Sequence, residues 1–435
     1  MLELLKQIIL DHQAYQPETG TPRHLNMKRL PGKASVCIGA RRSGKSTYFF
    51  QLIQELLSKG VPSENILYVN FFDDRLHSLN RENLGLITEA YFSLYPQKKN
   101  AEKIFCFFDE IQSVEGWESY ADRLMRTEKC EVSITGSSSR MLSKEVATQM
   151  RGRALSWELF PFSFREYLDH LGIAYGASLS TKRRLSIQKA FDRFWETGGF
   201  PEVAKLDARL RVKIHQEYFN AALFRDLIDR HDISHPRAAK DLALRLIDTT
   251  GSMYSVNSLT GHLQSLGHKA PKSAVSDYLD WFEDAFFLFT VRVFDASLAR
   301  SKTNPKKIYC IDHSLVTSVA SGILANTGHL LENLVFTALR RLTPRIHYWK
   351  SKRGREVDFI VQFEDRTRML VQVTESLARP DVRKRETAAL EEAMADLGFD
   401  AGIIVTRSET EEIKTGNRTI RVIPAWRFLL DPTAQ

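Results

Sequence analysis

Eight residues, 39-GARRSGKS-46, carry the most specific chemical signal in the chain. They fit the pattern G-x-x-x-x-G-K-[ST]. Gly39 and Gly44 let backbone N–H groups close around phosphate oxygens with no Cβ in the way. Ala40, Arg41, Arg42 and Ser43 supply the loop between them, and the two arginines either contact phosphate or face solvent. Lys45 is placed to reach the β- and γ-phosphates of a nucleoside triphosphate, and Ser46 offers a hydroxyl to Mg²⁺. The cradle runs on to Thr47, where a helix aims its positive end at the same oxygens.

A second signal is 104-IFCFFDE-110, an apolar strand ending in two adjacent carboxylates. Asp109 is expected to orient the Mg²⁺ shell and Glu110 to polarise an attacking water. Alone, such a pair is usually a solvated strand end, but downstream of a phosphate loop it has the composition of a hydrolytic site. A third run, 132-VSITGSSSR-140, ends a strand in hydroxyl residues, which also suit a helix cap.

These residues need strands to hold them. The runs 34–40, 66–71, 104–110 and 131–137 are short and continuously apolar, and helical stretches such as 46–57 separate them. That alternation predicts an α/β domain with a doubly wound parallel sheet. From about 205 to 300 the pattern is helical. The runs 237–251 and 255–267 each end in glycine, and 271–288 has Pro271 in its first turn. Strand-like 289–294 follows, and three helices with a β-wing suggest a winged helix-turn-helix. From about 310 a helix (328–342), four short strands and a charged helix (382–398) predict a small α/β domain. The expected domains are 1–203, 204–305 and 306–435.

Composition narrows the partners. The 435 residues are enough for two or three domains. A net charge of +8 suits nucleic acid and equally an ordinary basic protein. The four cysteines are scattered without a C-x-x-C, so neither disulfides nor a structural metal is expected. No apolar run is long enough to span a bilayer, and the first residues do not read as a signal peptide. The expectation is a cytoplasmic protein with no membrane contact.

Five runs together resemble one prokaryotic family of AAA-superfamily P-loop ATPases. They are 66-ILYVNFFDDRL-76, 108-FDEIQSVEGWE-118, 134-ITGSSSRML-142, 151-RGRALSWELFPFSFREYL-168 and 198-GGFPEV-203. The family is related to archaeal P-loop and STAND-type ATPases and carries a C-terminal domain of uncharacterised function. The resemblance implies ATP rather than GTP. It also implies a polar residue, Thr135 or Ser137, between the acidic pair and the γ-phosphate. The Gly152–Arg153 pair is implied to supply a charge-stabilising arginine, from its own chain or a neighbour, with Arg151 as the alternative. Pairing of that arginine with Glu158 or Glu166 is the structural reading.

The helical block resembles the family's winged helix, with Lys269, Lys272 and Ser273 near the start of a recognition helix. Such a module also serves as a regulatory lid. The last block resembles a PD-(D/E)XK nuclease core, whose helical Glu is Glu332 and whose strand Asp is Asp358. The slot for E-x-K reads 372-QVT-374: Gln372 brings no charge and Thr374 cannot replace the lysine. A nuclease-like fold without cleavage is expected. Arg340, Arg341, Arg345, Lys350, Lys352, Arg353 and Arg355 form either a phosphate-binding face or a solvated surface.

The resemblance therefore implies a Mg²⁺-dependent ATPase working as a nucleotide-driven switch. Its partner is left open among double-stranded DNA, another protein and a further copy of itself. The alternatives are an ATP-regulated, Mg²⁺-dependent DNA endonuclease, and a nucleotide-gated protein-interaction module in defence or signalling.

Overall fold

The apolar runs that bracket the chemical motifs become neighbouring strands of one parallel sheet. The computed structural model describes all residues except 16, 138–149, 151, 177–178, 229–230, 232, 296, 298–304, 321–325 and 434–435. The chain divides into two compact units, Met1–Phe160 and Pro161–Gln435.

In the first unit the strands are β1 (Ala34–Ile38), β2 (Ile66–Asn70), β3 (Ile104–Asp109), β4 (Cys130–Gly136) and β5 (Ala154–Glu158). They lie in the order β2-β3-β4-β1-β5, and every neighbouring pair is parallel. β1 is buried along its whole length, as a strand covered on both faces should be. The fifth strand, ALSWE, was not expected, because its mixed composition suits a half-buried edge.

The helices of this unit are α1 (Leu2–Ala14), α2 (Lys45–Ser58), α3 (Gly85–Leu94) and α4 (Trp117–Thr127). α1 buries Leu5, Ile8 and Ile9, the i, i+3, i+4 stripe of an amphipathic helix. α2 buries Tyr48, Phe49, Leu52 and Leu56 in a cluster with Cys37, Ile66 and Phe107. Each such side chain contributes about 1.5–3 kcal/mol by leaving water. Phe49 meets Phe107 edge-on at 5.2 Å, which anchors the helix behind the phosphate loop to the strand carrying the acidic pair.

The second unit opens with α5 (Phe164–His170), α6 (Thr181–Thr197) and α7 (Ala208–Ala221). Ser163 and Glu166 form a complete capping box at the start of α5. There follow α8 (Pro236–Asp248), β6 (Met253–Tyr254), α9 (Val256–Ser265), α10 (Lys272–Asp284), β7 (Leu288–Val293) and β8 (Lys306–Cys310). Next come α11 (His313–Val319), α12 (Thr327–Arg340), β9 (Ile346–Lys350), β10 (Glu356–Gln362), β11 (Arg368–Val373), α13 (Pro380–Leu397) and β12 (Ala401–Thr406). β13 (Glu411–Thr415), β14 (Arg418–Pro424) and α14 (Ala425–Leu430) complete the unit.

All nine strands share one sheet, in the order β13-β14-β12-β11-β10-β9-β7-β8-β6. The helical block and the last block are therefore joined through a parallel pairing of β7 with β9. Residues 161–203 also pack within this unit rather than the first. Gly199 gives its N–H to Asp312 Oδ2 at 2.7 Å, and Phe162 gives its N–H to Gly199 O at 2.6 Å.

Candidate nucleotide site

Because β3, β4 and β1 are consecutive in a parallel sheet, their carboxyl ends meet on one edge. Ligands of open α/β sheets bind at that edge. It carries Gly39–Gly44 after β1, Asp109–Glu110 at the end of β3, and Thr135–Ser137 at the end of β4.

Gly39 must be glycine, since a Cβ there would stand 2.1 Å from Leu159 O. The loop then turns through Arg42, in the left-handed region at φ 62°, a conformation that costs about 1–2 kcal/mol for a residue with a Cβ. Lys45 begins α2 and is 4% exposed. Its ammonium donates to Gly39 O and Ala40 O, each at 3.1 Å, and lies 3.2 Å from Glu110 Oε1. Ser43 Oγ is fully buried with no hydrogen-bond partner among the described residues. Ser46 and Thr47 are half-buried in the first turn of α2. Arg41 lies over the exposed ring of Phe72 at 5.6 Å.

Asp109 is completely buried. Tyr68 donates to its Oδ2 at 2.8 Å, and Thr135 Oγ1 donates to its Oδ1. Burial, reinforced by Asp109, pushes the Tyr68 phenol far up, so it remains a donor. Thr135 Oγ1 also accepts the Glu110 N–H at 2.8 Å. One hydroxyl thus ties the two carboxylate residues together. Glu110 is held at φ 56°, again left-handed. Burial works to raise its carboxyl, but Lys45, with Gln112 and Arg41, outweighs it and holds the group below the usual carboxylate range. Gln112 Nε2 donates to Glu110 Oε2 and lies 3.4 Å from Ser137 Oγ.

The structure thus brings Lys45, Asp109, Glu110 and Ser137 together. The residues present suit a phosphate group: a backbone cradle with no room for a Cβ, a buried orphan hydroxyl and a buried ammonium. Ser46 and Asp109 are hard oxygen donors of the kind Mg²⁺ prefers. Two residues had no readable signal. Arg23 donates to Ser43 O and to Phe160 O, both at 2.6 Å, clasping the loop from outside. Gln112 stands inside a quoted motif, yet nothing in its type foretold that it grips Glu110.

Arg153 is a correction as far as its own chain goes. It sits just before β5, and its carbonyl accepts from Ala34 N, at the start of β1. β5 runs parallel to β1, so Arg153 lies at the amino edge of the sheet, roughly 15 Å of strand from the loop. There its guanidinium meets buried Asp122 at 3.3 Å. The alternative, Arg151, lies outside the described residues.

The second unit gathers the other expected set. Glu332 on α12 and Asp358 on β10 meet, but around Lys307 of β8, which was not foreseen. Gln372 accepts the Asp358 N–H at 3.1 Å and donates to Glu386 Oε2 at 2.7 Å. Thr374, just past β11, gives its N–H to Val405 O. Burial and then Asp358 push Glu332 up to about 7. Burial would lower Lys307, but Asp358, Glu332 and Glu356 outweigh it and hold the ammonium charged.

Burial also raises the Cys37 and Cys310 thiols to about 12, so neither is a nucleophile. No helix among the described residues is long and apolar enough to cross a membrane.

An AAA domain matches residues 32–168, and two domains of unknown function match 188–326 (DUF8612) and 327–428 (DUF4143). The uncharacterized protein MJ1544 of Methanocaldococcus jannaschii is 31% identical over 439 residues, covering 98% of this chain and 95% of its own. An uncharacterized protein of Haemophilus influenzae is 31% identical over 333 residues, 76% of this chain and 80% of that one. Among solved structures, the Walker-type ATPase paby2304 of Pyrococcus abyssi is 13% identical, covering 66% of this chain and 90% of its own at a TM-score of 0.43. With its phosphate loop and acidic strand end inside the AAA match, the chain belongs to the family of the Methanocaldococcus protein and bears an AAA-type P-loop ATPase domain.

Proposed function

We propose that the chain is a Mg²⁺-dependent ATPase that works as a nucleotide-driven switch. The observation that carries this is the 3.2 Å contact between Lys45 and Glu110 at the carboxyl edge of the sheet. The Lys45 ammonium rests on two carbonyls and one carboxylate, and a triphosphate offers it more negative charge than these. On binding, Lys45 turns to the β- and γ-phosphates and Glu110 loses its cation. Glu110 then accepts a proton from water, steadied by Gln112 on its other oxygen. Thr135 keeps Asp109 and Glu110 in register while this happens. Mg²⁺, held by Ser46 and Asp109, would neutralise charge on the phosphates.

The output of the switch is assigned to residues 161–435, and the partner assigned to them is double-stranded DNA. Residues 204–305 are read as a winged-helix domain, and Lys269, Lys272 and Ser273 are exposed around the start of α10. Residues 306–435 are read as a nuclease-like fold without cleavage. Arg345, Lys350, Lys352 and Arg353 are exposed just before β9, at its end and in the turn after it, where they suit phosphate contacts. Arg355 instead pairs with Glu392 at 3.0 Å, and Arg341 donates to Pro161 O.

The test is steady-state ATP hydrolysis by the full chain with and without duplex DNA, beside Lys45→Ala. Hydrolysis that disappears in Lys45→Ala and rises with DNA supports the whole reading. Hydrolysis indifferent to DNA removes the DNA assignment. No hydrolysis and no nucleotide binding removes the ATPase itself.

A further inference from the structure

Asp109 ends β3 completely buried, and each of its oxygens holds a hydroxyl. Thr135 of β4 donates to Oδ1, and Tyr68 of β2 donates to Oδ2 at 2.8 Å. An ionised carboxylate has about four lone-pair sites, so these two bonds leave it capacity for a cation. The two donors grip it from the strands on either side. Asn70 of β2 is in register with Asp109. Tyr68, two residues earlier, shares that face of the sheet, and its long side chain reaches along the strand to the carboxylate.

The Tyr68 ring is itself held from outside the sheet. His12 of α1 meets it edge-on with centroids 4.6 Å apart, and Phe50 of α2 lies at 5.3 Å. α1 is fastened along this flank. Gln13 Nε2 donates to Ile66 O of β2 at 3.0 Å, and Tyr95 Oη donates to Gln13 Oε1 at 2.6 Å. Asp11 Oδ2 lies 3.6 Å from Arg75 Nη1, just beyond β2. α1 also lies ahead of the stretch matched as an AAA domain. We propose that Tyr68 is a positioning residue that aims the Asp109 carboxylate for Mg²⁺, and that α1 keeps it in place through His12. Hydrogen bonds to a metal-binding carboxylate fix its orientation, and losing one typically costs about 10–100-fold in metal affinity or activity. A helix on the flank of the sheet thereby bears on the metal side of the nucleotide site.

This role of Tyr68 rests on the ATPase reading, in which Asp109 holds Mg²⁺. The test is equilibrium binding of a non-hydrolysable ATP analogue to the full chain by calorimetry, in EDTA and again in Mg²⁺. Wild type, Tyr68→Phe and His12→Ala are compared. Tyr68→Phe keeps the ring and removes only the donor. It should bind the metal-free analogue as wild type does, while the tightening brought by Mg²⁺ falls by about tenfold or more. His12→Ala should lower that tightening in the same direction by a smaller factor. If Tyr68→Phe gains as much from Mg²⁺ as wild type, the proposal fails and the ATPase reading stands. If it loses affinity equally with and without Mg²⁺, Tyr68 is a plain structural residue and the proposal fails. If Tyr68→Phe does not fold, His12→Ala decides, and a wild-type response to Mg²⁺ there overturns the proposal. A wild-type chain that binds no analogue, or binds it indifferently to Mg²⁺, removes the ATPase reading and this role together.

Discussion

Glu110 and Arg23 act on the same loop in different ways, and substitution separates them. With Glu110 proposed as the base, Glu110→Gln should lower kcat by about 10²–10⁴ while nucleotide still binds. Single-turnover hydrolysis beside equilibrium nucleotide binding checks this, and an unchanged kcat would clear Glu110 of the role. Arg23 bonds to the backbone of the loop. It holds the Ser43 carbonyl outward at 2.6 Å, and because the C=O and N–H of one peptide point opposite ways, it turns the Gly44 N–H inward. Loss of a charge-assisted bond of this sort costs about 1.5–3 kcal/mol. Arg23→Ala should therefore raise the nucleotide Kd at least about tenfold with kcat nearly kept, and a fall in kcat at unchanged Kd would refute the positioning role. The phosphate loop and acidic pair were legible because their chemistry is written in adjacent residues. Arg23 and Lys307 were not, because a lone cation becomes informative only when folding brings it to its partners.

At the scale of elements, α7 and α11 meet around a buried histidine. His215 Nδ1 lies 2.8 Å from Ser318 Oγ, and its ring is fully enclosed. Burial, with Arg211 and His313 adding to it against Asp312, lowers its value from 6.5 to about 4. The folded state therefore favours the neutral ring. This contribution is complete above pH 6.5 and is lost as pH falls from 6.5 towards 4, reaching about 3 kcal/mol. Tm followed against pH should show that loss in wild type and a shallower slope over the same window in His215→Gln; equal slopes would exclude His215 as the source. Beside this histidine, a Cβ on Gly198, which has φ 71°, would stand 2.0 Å from Ser314 Oγ. Gly198 of 198-GGFPEV-203 was readable only as part of a family signature, because the reason for it lies more than a hundred residues away in the chain. The core strands β1 to β4 were legible as continuous apolar runs. β8 was not, because KKIYC begins with two lysines, one of which is buried for its charge.

At the scale of the molecule, the sequence suggested separate second and third domains, whereas one sheet runs from β6 to β13. Pairing between β7 and β9 leaves no local pattern, so no reading of periodicity could find it. The fragment 161–435 should fold and melt cooperatively when expressed alone. The fragment 306–435 should not, since it keeps β8 but discards β6 and β7, between which β8 lies. Circular dichroism melts of the two fragments decide the matter, and a cooperative 306–435 would show that the last block is independent after all.

Seen mechanically, that sheet is two ladders spliced at a narrow joint. β7 and β9 share only the register pairs Arg292 with His347 and Val293 with Tyr348. Under load a splice this short would part before the longer ladders on either side. Lys307 belongs to the ladder on one side of the joint, while Glu356 and Asp358 belong to the ladder on the other. The buried charge cluster therefore rivets the sheet across this short seam.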